Sequence, residues 1–110
     1  MQGTKGRVMK ACTKDGVLYI VPENDLVAGR IEDIRNFFIA QLKANPDEHT
    51  VTLDASGIGV VDSLGVNLII GLYKHVSAES KTFTLINADE TFMKVAHFFG
   101  FPAIFKVESR

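Results

Sequence analysis

The sequence predicts an α/β domain: a small mixed sheet that begins with a β-hairpin and carries its helices mainly on one face. Three observations lead there. A tight-turn dipeptide, Asp15-Gly16, sits between two strand-like runs near the start. Strand and helix patterns then alternate to the end of the chain, which implies parallel strands joined by right-handed crossovers. The composition is that of a globular domain, with 46% hydrophobic and 23% charged residues in 110, enough for one compact core.

The elements follow in order β-β-α-β-α-β-α-β. "RVMKACTKDGVLYIVPEN" reads as two strands around Asp15-Gly16, since glycine accepts the positive φ of a two-residue hairpin turn. Pro22 is expected to end the second strand because it cannot donate to a ladder. In "RIEDIRNFFIAQLKANP", Ile31, Ile34, Phe38 and Leu42 recur at helical spacing, with Phe37 and Ile39 widening the stripe. Asn45-Pro46 stops that helix. A strand is expected over Thr50 to Asp54, a helix from about Ser63 to Val76, and a strand over "KTFTLIN". In "NADETFMKVAHFFGF" a third helix is expected, with Asn87 and Glu90 as a capping box, Phe92, Val95, Ala96 and Phe99 as the buried stripe and Gly100 as the C-cap. A last short strand is placed over Ile104 to Val107.

Composition excludes several functions. A net charge of −1 with no basic cluster argues against a non-specific grip on nucleic acid or acidic lipid. The single Cys12 cannot form an internal disulfide, and no Cys/His spacing suggests zinc, so a cytoplasmic chain without metal or cofactor is expected. No signal segment or membrane-length apolar run is visible.

The loop after the third strand holds the informative residues. In "GIGVVDSLGVNLIIGLYKHV", Asp62 and Ser63 stand immediately before an apolar helix. The bland reading is a helix cap, which satisfies orphan N–H groups for about 0.5–2 kcal/mol; local physics favours it. The functional reading is a phosphorylation site. A phosphoserine at a helix start sits among positive peptide dipoles and adds about −1.5 to −2 charges to a surface expected to be apolar at Ile58, Val60 and Leu64. Such a group can end a protein contact without unfolding the domain.

The segment "LDASGIGVVDSLGVNLIIGLYK" resembles the signature of STAS domains, the anti-sigma factor antagonist family. Their Asp-Ser-(Ser/Thr/Ala)-Gly motif opens an apolar helix after a strand and a loop. The ending "LINADETFMKVAHFFGFPAIFKV" is similar to theirs as well. The resemblance covers roughly Arg7 to Val107 of what reads as a single domain over residues 1–110. It implies a partner switch. The unphosphorylated antagonist binds a serine protein kinase that doubles as an anti-sigma factor, the kinase phosphorylates the motif and releases it, and a metal-dependent serine/threonine phosphatase resets it. The chain would then be a substrate and a ligand, not an enzyme. Ser63 is the implied phosphosite, and Asp62, Leu64, Gly65, Ile58 and Val60 would belong to the docking surface. The resemblance also puts a partner-facing loop at "ENDLVAGR", with Asn24 and Asp25. One position departs from the motif: its second hydroxyl is replaced by Leu64, leaving Ser63 alone. If the second hydroxyl is required, the chain is a non-phosphorylated STAS scaffold of a signalling complex.

Other candidates are weaker. His75 lies twelve residues after Ser63 on the same expected helix, about 18 Å away, too far for a hydrolase triad. "GIGVVD" half-matches a dinucleotide loop but lacks the third glycine, which leaves a small-ligand or nucleotide-binding domain as the alternative from another class. His49 and His97 have no partner at ligand spacing, and nothing in the sequence lowers the pKa of Cys12 for a redox role.

Overall fold

The computed structural model describes residues 9–23 and 28–110. The strands β1 (Met9–Lys14) and β2 (Val17–Pro22) form an antiparallel hairpin. Its turn has Asp15 at φ 54° and Gly16 at φ 82°, the pair of positive angles that a type I′ turn demands. The turn is also tied to the sheet: the Gly16 carbonyl accepts from the His49 N–H at 3.0 Å.

Helix α1 (Ile31–Ala44) follows, then β3 (Thr50–Asp54), α2 (Ser63–Ala78), β4 (Thr82–Ala88), α3 (Glu90–Phe98) and β5 (Lys106–Ser109). The five strands lie side by side in chain order, with β2 to β5 all parallel. Each crossover therefore advances in the same direction, and right-handed crossovers of that kind put all three helices on one face.

Register lines up the inner residues: Leu18, Val51 and Phe83 share one row, and Ile20, Leu53, Leu85 and Val107 the next. These side chains join Ile34, Phe38 and Leu42 of α1, Ile69, Leu72 and Val76 of α2, and Phe92 and Ala96 of α3 in one core. Phe83 and Phe105 meet edge to face at 4.9 Å within it, a favoured aromatic geometry. The outer row reads Cys12, Tyr19, Thr52, Thr84 and Lys106. There the hydroxyls of Thr52 and Thr84 pair at 2.7 Å, which satisfies the buried Thr52.

Three expectations are corrected. The third helix is capped by Asp89, whose carboxylate accepts from the Phe92 N–H at 2.7 Å, and β4 runs on through Asn87. Asn87 instead takes a left-handed φ of 59° and turns its amide to Asp54. Phe99 is 45% exposed rather than part of the buried stripe, because α3 ends one residue before it and Gly100, at φ 76°, turns the chain. The last strand begins at Lys106, since Phe101–Ala103 form a 3-10 turn with Pro102 near its start and Phe105 closes it onto Phe101. No helix among the described residues is long and apolar enough to cross a membrane.

Candidate functional site

The loop from Ala55 to Asp62 leaves the carboxyl end of β3, where ligands of parallel sheets are usually met. It is anchored at several points. The Ala55 N–H donates to Ile86 at 2.9 Å, and the Ile58 N–H turns back to Ala55 at 3.0 Å. Asp54 receives the Ser56 N–H at 2.9 Å and the Asn87 amide at 3.1 Å on one oxygen. From the far end of the chain, the Arg110 guanidinium donates to the Ser56 carbonyl at 3.0 Å. Partial burial pushes the Asp54 carboxyl up, but the Ser56 and Asn87 hydrogen bonds and the Arg110 charge outweigh it and hold it below the usual carboxylate range. On the other side, Gly57 packs against the end of β2, so that a Cβ there would sit 2.6 Å from the Pro22 carbonyl oxygen.

The loop delivers the chain to α2 through a side-chain cap. Asp62 is extended (φ −97°, ψ −176°), and its carboxylate accepts from the Gly65 N–H at 2.9 Å. The cap reading of Asp62 is therefore correct. Ser63, the first residue of α2, is exposed. Val60 and Leu64, close to it in the sequence, are 54% and 49% exposed, so two exposed apolar side chains accompany an exposed serine.

Other expected site residues fall elsewhere. Ile58 is 3% exposed and belongs to the core, which corrects its place on the apolar surface: the turn back to Ala55 points the chain inward there. Gly65 is buried and its N–H is taken by Asp62, so it serves the helix start. Asn24 and Asp25 lie outside the described residues. Asp54, Gly57 and Arg110, which hold the loop, were not singled out from the sequence, and Asn87 was read there as a helix cap. Asp54, Asn87 and Arg110 are far apart in the chain, and no local spacing marks them.

The loop and α3 enclose a shallow cleft of about 120 Å³ lined by Gly59, Val60, Val61, Thr91, Phe92 and Val95. That is well below the roughly 300 Å³ at which small-molecule sites begin, and it suits an inserted side chain better than a nucleotide. Among the described residues no group of three or more His, Cys, Asp or Glu side chains could hold a metal ion. Cys12 is exposed on the edge strand β1.

A sheet opened by a hairpin, three helices on one side and a capped helix start displaying a serine define the class of the domain. The model of the STAS domain family matches residues 9–110, and the chain belongs to that family. Among curated protein sequences, none matches the chain. Solved structures share the fold. A Thermotoga maritima protein provisionally named an anti-sigma factor antagonist is 17% identical and superimposes with a TM-score of 0.83 over 96% of this chain and 89% of that one. The Bacillus cell fate determinant SpoIIAA in its phosphorylated form gives 20% identity and a TM-score of 0.66 over 90% and 89%. The murine solute carrier 26 family member A9 anion transporter gives 22% and 0.71, over 79% of this chain and only 14% of the transporter.

Proposed function

We propose that the chain is a partner-switching regulator of the anti-sigma factor antagonist type. In the unphosphorylated state it docks on a serine kinase that also acts as an anti-sigma factor, in the cytoplasm. Phosphate transfer to Ser63 ends the complex, and a serine/threonine phosphatase restores it. The observation that carries this reading is the exposure of Ser63 at the first position of α2 between the exposed Val60 and Leu64. An apolar surface of that kind suits a protein partner. A dianion placed in it meets the Asp62 carboxylate one residue away and must be desolvated by any partner that stays. The SpoIIAA fold, known in phosphorylated and unphosphorylated forms, supports the same reading.

Incubation with the cognate kinase and ATP should add one phosphate to the native chain and none to Ser63→Ala, read by intact mass. Equal labelling of the alanine variant would remove Ser63 from the mechanism. Leu64, in place of a second hydroxyl, favours a second reading in which the domain docks without being switched. A chain that binds the kinase tightly and is never phosphorylated would establish it.

A further inference from the structure

Helices α1 and α2 run side by side on the sheet and leave an open groove of about 310 Å³ between their outer faces. Leu68 and Leu72, both nearly buried, form its floor. Ile31 and Ile39 form the α1 wall and Leu64 stands at one end of the α2 wall. The walls run about 12 Å along α1 and about 16.5 Å along α2, from eight and eleven residue steps at 1.5 Å each. The polar lining is Arg35, Asn67 and His75.

Two features of the groove are not explained by the fold itself. Gly71 lines it in the middle of α2, where glycine weakens a helix. A Cβ at Gly71 would meet nothing within 4 Å, so no close packing within the domain calls for glycine. Arg35 stands midway along the α1 wall and makes no ion pair among the described residues. No residue lining the groove is acidic, and the Glu79 carboxylate lies 3.6 Å from His75 at one end of it.

We propose that this groove binds an amphipathic monoanion, an unbranched acyl chain bearing a carboxylate. The chain lies along Ile31, Ile39, Leu64, Leu68 and Leu72, passes over the bare backbone at Gly71, and sets its carboxylate on the Arg35 guanidinium. Volume, apolar walls and a few placed polar groups are those of a small-ligand site, and an arginine fork matches a carboxylate. A phosphate dianion fits less well, because Arg35 is the one Lys or Arg among the lining residues. The site shares Leu64 with the switch surface but does not depend on phosphorylation of Ser63.

Titration of the native protein with sodium octanoate, followed by amide NMR shifts, tests the assignment. Saturable shifts are expected in residues 31–39 and 64–75. Arg35→Gln should weaken octanoate about tenfold or more while leaving the weaker binding of 1-octanol unchanged. Gly71→Leu should abolish octanoate binding in a folded domain. Gly71→Ala, which favours the helix, should raise Tm while weakening octanoate, and Phe98→Ser should change neither. The proposal is overturned if no saturable shift occurs, if the shifts centre on Phe98 and Phe99, if Arg35→Gln binds octanoate as the native chain does, or if octyl phosphate binds more tightly than octanoate.

Discussion

The guanidinium of Arg110, the last residue, donates a 3.0 Å hydrogen bond to the carbonyl of Ser56, fifty-four positions earlier. The same residue's N–H donates to Ala88 at 2.8 Å. The end of the chain is thereby fastened to both β4 and the loop that leads to Ser63. Both partners of the side-chain bond are exposed, so its effect on global stability is small and its effect on the loop is local. Arg110→Ala should leave the unfolding midpoint almost unchanged, within about 1 kcal/mol. Hydrogen exchange at Ser56 to Val61 should quicken while β3 itself stays protected. Unchanged exchange in the loop would mean that the other anchors suffice.

Asp54 gives the fold a measurable acid sensitivity. Its carboxyl is held below its ordinary value, so the folded state binds that proton more weakly than the unfolded chain does. The stabilisation is present above the unfolded value and fades as pH falls through the lower folded value. Asp54→Asn should therefore be less stable than the native chain at pH 7, and urea titrations should show the gap narrowing on acidification toward pH 3. A gap that is constant with pH would assign the loss to shape rather than charge.

Asp62 carries the helix start. Asp62→Ala removes the acceptor of the Gly65 N–H and should cost about 0.5–2 kcal/mol in chemical denaturation. Asp62→Ser, which keeps a capping oxygen, should recover most of that. If serine is as damaging as alanine, the carboxylate acts through contacts other than the cap.

Ile58 and Leu64 lie close in the sequence and should behave in opposite ways. Ile58→Ala empties a core position and should destabilise by about 2–5 kcal/mol. Leu64→Asp alters a side chain that is 49% exposed, and its folding cost should stay near 0.5 kcal/mol. Under the proposed partner switch, the cognate kinase, measured by calorimetry, should nevertheless bind the Leu64→Asp chain much more weakly. Full affinity would place the docking surface away from the start of α2.

The elements legible from the sequence were those set by neighbours in the chain. Asp15-Gly16 announced the hairpin because the turn needs two positive φ angles, and the Ile31, Ile34, Phe38 and Leu42 stripe announced α1 because one helix face must be buried. The start of α2 at Ser63 was legible for the same reason, as its cap lies beside it. Asn87 was mistaken for the cap of α3 because Asn and Asp serve equally there. What separates them is the Asp54 oxygen that engages the Asn87 amide, thirty-three residues away. Pro102 belongs to a turn that delays β5, and only the packing of Phe101 and Phe105 shows how far. Ile58 could not be placed from composition, since a loop residue has no period to reveal which way it faces. The groove at Gly71 belongs to the spacing of two helices, a quantity that no single segment encodes.

Gly57 has a consequence for how the domain meets a partner. Its close approach to the Pro22 carbonyl, together with the Ala55 and Arg110 hydrogen bonds, leaves the loop little room to wander before any encounter. Recognition can then proceed as one rigid body meeting another, with little ordering entropy lost on this side. A side chain at position 57 would unseat the loop, and the penalty would fall on the speed of complex formation before it reached the melting curve.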